Sequence, residues 1–128
     1  MTRSFTSVIL LAMAAIAGPA PAATFDVNLT VDEPDSSPGD GVCRAAITMG
    51  CTLRAAIEEA NALAGLDTIN LPIGTFELTI TGDDEDFAAT GDLDVRETLF
   101  IYGAGVDATI IDAAGIDRVF DLRSGTLR

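Results

Sequence analysis

The chain has no histidine, no lysine and no tryptophan, one tyrosine, and two cysteines in 128 residues. Each shortage removes a class of chemistry. Without histidine there is no side chain that ordinarily titrates near neutrality, and the commonest metal ligand is gone. Zinc sites and Ser-His-Asp or Cys-His catalysis are thereby excluded within this chain. Positive charge is scarce as well. Seven Arg face twenty Asp and Glu, a formal net charge of −13. Such a surface repels phosphate backbones, so no nucleic-acid partner is expected. It suits solubility and cation binding.

Long apolar runs are also few. The longest, Val8 to Ala17, has ten residues and is too short to span a bilayer, so no transmembrane segment is expected. It follows the basic Arg3 and precedes Ala20-Pro21-Ala22, small residues at the −3 and −1 positions of a cleavage site. Residues 1–22 therefore read as a secretory signal peptide, and the protein as secreted or displayed at the cell surface. Cleavage after Ala22 leaves roughly 106 residues, enough for one domain. In that compartment Cys43 and Cys51 read as a disulfide. A reactive pair or a metal pair is disfavoured, because the spacing is not CxxC and no third ligand is near.

One stretch has a clear helical period. Leu53, Ala56, Ile57, Ala60 and Leu63 fall on one helix face. Thr52 stands where an N-cap is wanted and Gly65 where a left-handed C′ residue is wanted. Ahead of it, Asp32 to Val42 (DEPDSSPGDGV) is a loop with two Pro, two Gly, two Ser and four acids in eleven residues. The disulfide would pin that loop to the start of the helix. An isolated helix this short is marginal in water, so it must dock on something.

The residues Cys51-Thr52-Leu53-Arg54-Ala55-Ala56-Ile57, with Ala60-Asn61-Ala62 behind them and Pro38-Gly39-Asp40-Gly41-Val42-Cys43 in front, resemble the CSLREA domain. That domain is named for its Cys-Ser-Leu-Arg-Glu-Ala motif. Thr52 replaces the Ser and keeps a capping hydroxyl, whereas Ala55 replaces the Glu and loses a charge. The cap motif carried over by this resemblance is Cys51, Thr52, Leu53, Arg54, Ile57, Ala60 and Asn61. The resemblance implies the N-terminal end of a secreted or surface-attached bacterial protein, followed by right-handed parallel β-helix repeats of the pectin-lyase-like kind. It implies a scaffold more than a reaction.

After the helix the chain reads as short strands separated by Gly-rich turns. Asp67–Leu71, Thr75–Thr81, Leu99–Tyr102, Thr109–Ile111 and Arg118–Leu122 follow one another, with Thr24–Val31 before the helix. Inward Ile, Leu, Val and Phe with Asp and Gly at the corners favour a solenoid of parallel strands over an antiparallel sandwich, which needs about seven strands. The expected fold is thus mainly β: a capping region over 23–66, then about two coils of a right-handed parallel β-helix over 67–128. A β-helix needs stacked neighbours, so the chain is expected to be part of a longer one.

Candidate sites are few. Gly82 to Asp94 carries six carboxylates in thirteen residues. Asp83, Asp84, Asp86, Asp92 and Asp94 are oxygen ligands of the kind Ca²⁺ takes, though the spacing is not that of an EF-hand and the competing reading is a solvated loop. Arg54 and Glu58 are spaced for an i,i+4 ion pair at the rim; the other reading is a buried Arg54 that holds carbonyls of the first coil. Asp112, Asp117, Arg118 and Asp121 supply the residue types of a glycosidase or lyase, but acids at turns are ordinary in such coils. The expected function is a non-catalytic cap and scaffold for surface attachment or interaction. Its expected partners are the remainder of its own longer chain and a cell-surface polysaccharide or protein, with no cofactor unless calcium. The alternatives are the N-terminal part of a polysaccharide-acting enzyme and a calcium-binding adhesion module.

Overall fold

The computed structural model describes residues 20–83 and 85–128. Val8–Ala17, the core of the predicted signal peptide, lies outside the described residues. The elements are β1 (Thr24–Asp26), α1 (Leu53–Ala62), β2 (Leu66–Asn70), β3 (Gly74–Glu77), β4 (Leu93–Val95), β5 (Thr98–Tyr102), β6 (Thr109–Asp112) and β7 (Phe120–Leu122). Every pair of these strands runs parallel. β1 pairs with β2 and β2 with β5; β3 pairs with β6; β4 pairs with β7. The three strands β2, β3 and β4 are thus matched in order by β5, β6 and β7. An antiparallel sandwich does not fit this pairing. Among the described residues no helix is long and apolar enough to cross a membrane.

The core runs between the helix and the strands. Leu53, Ala56, Ile57 and Ala60 from the helix meet Phe25, Ile69, Leu71, Phe76, Leu78, Leu93, Val95 and Leu99 from the strands, with Leu63 half-buried at the edge. Thr52 caps the helix as its position predicts, accepting a hydrogen bond from the Ala55 amide. The other end differs. Leu63 is the C-cap, in extended conformation, and its amide donates to the Glu59 carbonyl. Gly65 lies beyond it at φ +135°, where a Cβ would press on the Pro21 carbonyl. It therefore serves the turn into β2 and not the helix terminus.

Two predicted strands stop early for identifiable reasons. The alternation over Thr24–Val31 holds at Phe25 and Val27, both buried, but β1 ends at Asp26. Past Val27 the amides of Asn28 and Leu29 turn to the Cys51 carbonyl. Likewise β3 ends at Glu77, because the amides of Thr79 and Ile80 donate to the Asp32 carboxylate. One strand was not foreseen. β4 sits within the acid-rich stretch read as a loop, and all three of its residues are buried, Asp94 included.

The helix is not the one-faced lid its period implies. Eight consecutive residues, Leu53 to Glu59 and Ala60, are buried. Strands cover the apolar face, and the 32–51 loop covers the polar one. Ala55 has no exposed surface.

Truncating Ile57, which is fully buried, should destabilise the fold. Ile57→Ala is expected to cost about 2–5 kcal/mol in urea unfolding. Ile73→Ala, at a site 75% exposed, is expected to stay within about 0.5 kcal/mol of the parent.

Candidate functional site

Two groups of charged side chains define the sites worth weighing. The first is built on α1. Arg54 is 1% exposed and spends its guanidinium on four hydrogen bonds. Nε donates to Asp32 Oδ1 at 2.6 Å and Nη2 to Asp32 Oδ2 at 3.0 Å. Nη1 donates to the Ala88 carbonyl at 2.7 Å, and Nη2 also to the Gly91 carbonyl at 2.8 Å. Gly91 is required there: its φ is +64°, and a Cβ would collide with the Gly82 carbonyl. Burial would raise the Asp32 carboxyl, but the Arg54 hydrogen bond, the Ile80 and Thr79 amides and the Arg54 charge outweigh it. Together they hold the group below its ordinary value. Arg54 thus ties together the helix, the loop, the end of β3 and the entry to β4.

The buried reading of Arg54 is the observed one, and its partner is Asp32, not Glu58. Glu58 instead accepts the Asp35 amide at 2.5 Å. Glu59 accepts two loop amides, Gly39 at 2.8 Å and Gly41 at 3.0 Å. Burial pushes the Glu58 carboxyl up to about 7, with the Asp35 amide and the Arg54 charge only partly opposing it. Burial raises Glu59 as well. Asn61 bridges the last helical turn to β4: its Nδ2 donates to the Asp94 carbonyl and its Oδ1 accepts the Arg96 amide. Cys51 is bonded to Cys43 with Cα atoms 5.1 Å apart. Cys51, Thr52, Leu53, Arg54, Ile57, Ala60 and Asn61 therefore act together as one structural unit: a disulfide, an N-cap, core contacts and two polar ties to the strands. Asp32 and Glu59, absent from the predicted set, belong to the same unit, as does Glu58, which was predicted only as an ion-pair partner of Arg54. Their signal in the sequence was weak, because acids in a loop and on a polar helix face ordinarily meet water.

The second group lines an open cleft of about 500 Å³. Asp94 and Asp121 are register partners on β4 and β7. With Asp92 they bring carboxylate oxygens within 4.8 Å of one another. Burial raises both Asp92 and Asp94 above the ordinary range. Arginines oppose the charge. Arg118 lies 3.3 Å from Asp92 and 3.6 Å from Asp121. Arg123 lies 2.7 Å from Asp86 and 2.9 Å from Asp121. Of the five calcium candidates, then, Asp92 and Asp94 converge, joined by Asp121 from the C-terminal group. Asp86 is engaged by Arg123, Asp83 is exposed on the cleft wall, and Asp84 lies outside the described residues. Asp112 stays apart, accepting the Ala114 amide. The one converging oxygen from each of the three gives half or fewer of the six to eight that Ca²⁺ takes.

Comparison with protein-family models, with curated proteins and with solved structures returns no match.

Arg54→Met should leave the Ala88 and Gly91 carbonyls without their Arg54 donors and Asp32 without its countercharge, holding only the Thr79 and Ile80 amides. The expected loss is about 3–5 kcal/mol, and Arg54→Lys should not restore it, since an ammonium cannot reproduce the fork. Glu58 gives a pH signature. Its folded pKa of about 7 exceeds the ordinary carboxyl value of 4.5, so the folded state holds the proton more tightly. Its contribution is full below that ordinary value and is lost as pH rises through the folded one. Stability should therefore fall from about pH 5 to pH 8, and Glu58→Gln should shallow that fall in urea titrations across this range.

Proposed function

We propose that residues 23–66 form the non-catalytic cap, and residues 67–128 the first coils, of a right-handed parallel β-helix in a secreted or cell-surface protein. The observation that carries this reading is the pairing order: β2, β3 and β4 are followed one circuit later by β5, β6 and β7, each directly stacked and parallel. Parallel crossovers in one sheet are right-handed almost without exception, which supports the handedness. The likeness of Cys51–Ala62 to the CSLREA motif points the same way, and so does the signal-peptide pattern together with the Cys43–Cys51 disulfide.

In this reading the cap is passive. An open strand edge is a template for pairing with other chains, and the helix with its loop blocks one end of the stack. The other end is apolar. Leu71, Ile101, Ile111, Phe120 and Leu127 line a groove of about 450 Å³ there. Further strands of a longer chain would cover it with matching chemistry. The outer face would then serve attachment to a surface polysaccharide or protein. The exposed residues left for that role are acids together with scattered apolar side chains such as Ile73, Phe87 and Val106, with no histidine base.

Light scattering tests the reading. The chain as given is expected to self-associate with rising concentration, and Ile111→Asp with Leu127→Asp should suppress it. A parent that stays monomeric and monodisperse would overturn the proposed open end.

A calcium-binding module is the second reading, favoured by the convergence of Asp92, Asp94 and Asp121. Titration calorimetry separates the two. Binding heat lost in Asp94→Asn would support the module; no heat at millimolar Ca²⁺ would end it.

A further inference from the structure

We infer that cleavage of the Ala22–Ala23 bond does more than remove a leader: it creates an α-ammonium on Ala23 that completes a buried ion pair with Asp67. The inference rests on the signal-peptide reading and is independent of the β-helix reading. Asp67 sits on β2 with no exposed surface. Its Oδ1 accepts one hydrogen bond, from the Ala23 backbone nitrogen at 2.8 Å. Its Oδ2 is buried and has no partner among the described residues. An enclosed carboxylate with one neutral donor and an orphan oxygen is costly. Nothing in strand pairing explains an acid at this position, since the ladder uses only the backbone.

The position of the nitrogen is fixed by the fold. The Ala23 carbonyl accepts the Thr68 amide at 2.9 Å, and Thr24 is in register with Thr68. Ala20, Pro21 and Ala22 are exposed and lie outside any strand. Removing them takes nothing from the core. Hydrolysis adds one water across the peptide bond. The C–N bond breaks, the water oxygen bonds to the Ala22 carbonyl carbon, and at neutral pH the products are a carboxylate on Ala22 and an ammonium on Ala23. A leader peptidase supplies the catalysis. The nitrogen keeps its place beside Oδ1 but now carries three N–H donors and a positive charge. Because both carboxylate oxygens share one carbon, a second donor lies close to Oδ2. The orphan oxygen and the unpaired charge are resolved by the same cut.

The absence of lysine makes the test specific, because the Ala23 amine would be the only primary amine in the processed chain. The full chain is expressed with its leader in an exporting bacterial host. Intact mass of the recovered protein should place the N-terminus at Ala23. Labelling with an amine-reactive N-hydroxysuccinimide ester should then run about tenfold slower in the folded protein than in urea, since the paired ammonium resists deprotonation. Asp67→Asn should bring the folded rate up to the urea rate, and Asp26→Asn, an exposed acid on β1, should not. A different N-terminus would overturn the proposal, as would equal labelling of folded and unfolded parent. The parent comparison decides the matter even where Asp67→Asn does not fold.

Discussion

The guanidinium of Arg54 is the hub on which the helix and its covering loop depend. Its partners lie 22, 34 and 37 residues away in sequence, on Asp32, Ala88 and Gly91. No apolar side chain could do the same work, because these partners are a carboxylate and two backbone carbonyls that need donors. Asp32 relays the hold by accepting the Thr79 and Ile80 amides, which is also what ends β3. One ion pair therefore ties the helix to its loop, to the end of β3 and to the entry to β4. Such a pair is weak evidence of net stability against an apolar substitute, yet leaving either half alone is expensive.

The surplus of acids acquires a structural meaning from this. The loop from Asp32 to Gly50 has almost no regular structure, so its amides need acceptors that a sheet would otherwise provide. Carboxylates supply them. Glu58 takes the Asp35 amide, Glu59 those of Gly39 and Gly41, Asp35 those of Ser37 and Arg44, and Glu33 that of Thr48. Asp94 does the same for Ala88, and Glu85 for Phe87 and Thr90. Counting charges alone suggests a wet, repelling surface. Part of that charge is instead turned inward, at Asp35, Glu58, Glu59, Asp67 and Asp94, and part accepts loop amides at the surface.

This explains what could and could not be read in the sequence. The helix, its N-cap and the disulfide were legible, because periodicity, a threonine before the first apolar residue and an even cysteine count are local signals. Most strands were legible to within a few residues from the alternation of Phe76 with Leu78 and the apolar run Leu99–Tyr102. β4 was hidden, because Asp92 and Asp94 flank Leu93 and disguise a buried strand as a solvated loop. The Arg54–Asp32 pair was hidden for another reason. Arg54 has a nearer acid, Glu58, at ideal helical spacing, and nothing local says that the loop will cover the helix and claim that acid for its own amides. The convergence of Asp92 and Asp94 with Asp121 depends on the β4–β7 register, a long-range property that no window of sequence contains.

The parallel ladders carry a kinetic consequence. Thr24 pairs with Thr68, Gly74 with Thr109 and Leu93 with Phe120, so no ladder joins chain neighbours. Each requires a long loop to close before any bond rewards it, which makes such topologies slow to fold. The helix is marginal until it docks, and its three enclosed charges stay hydrated until the distant strands arrive. Arg54, whose carbonyl partners lie 34 and 37 residues away, is therefore expected to latch late in folding.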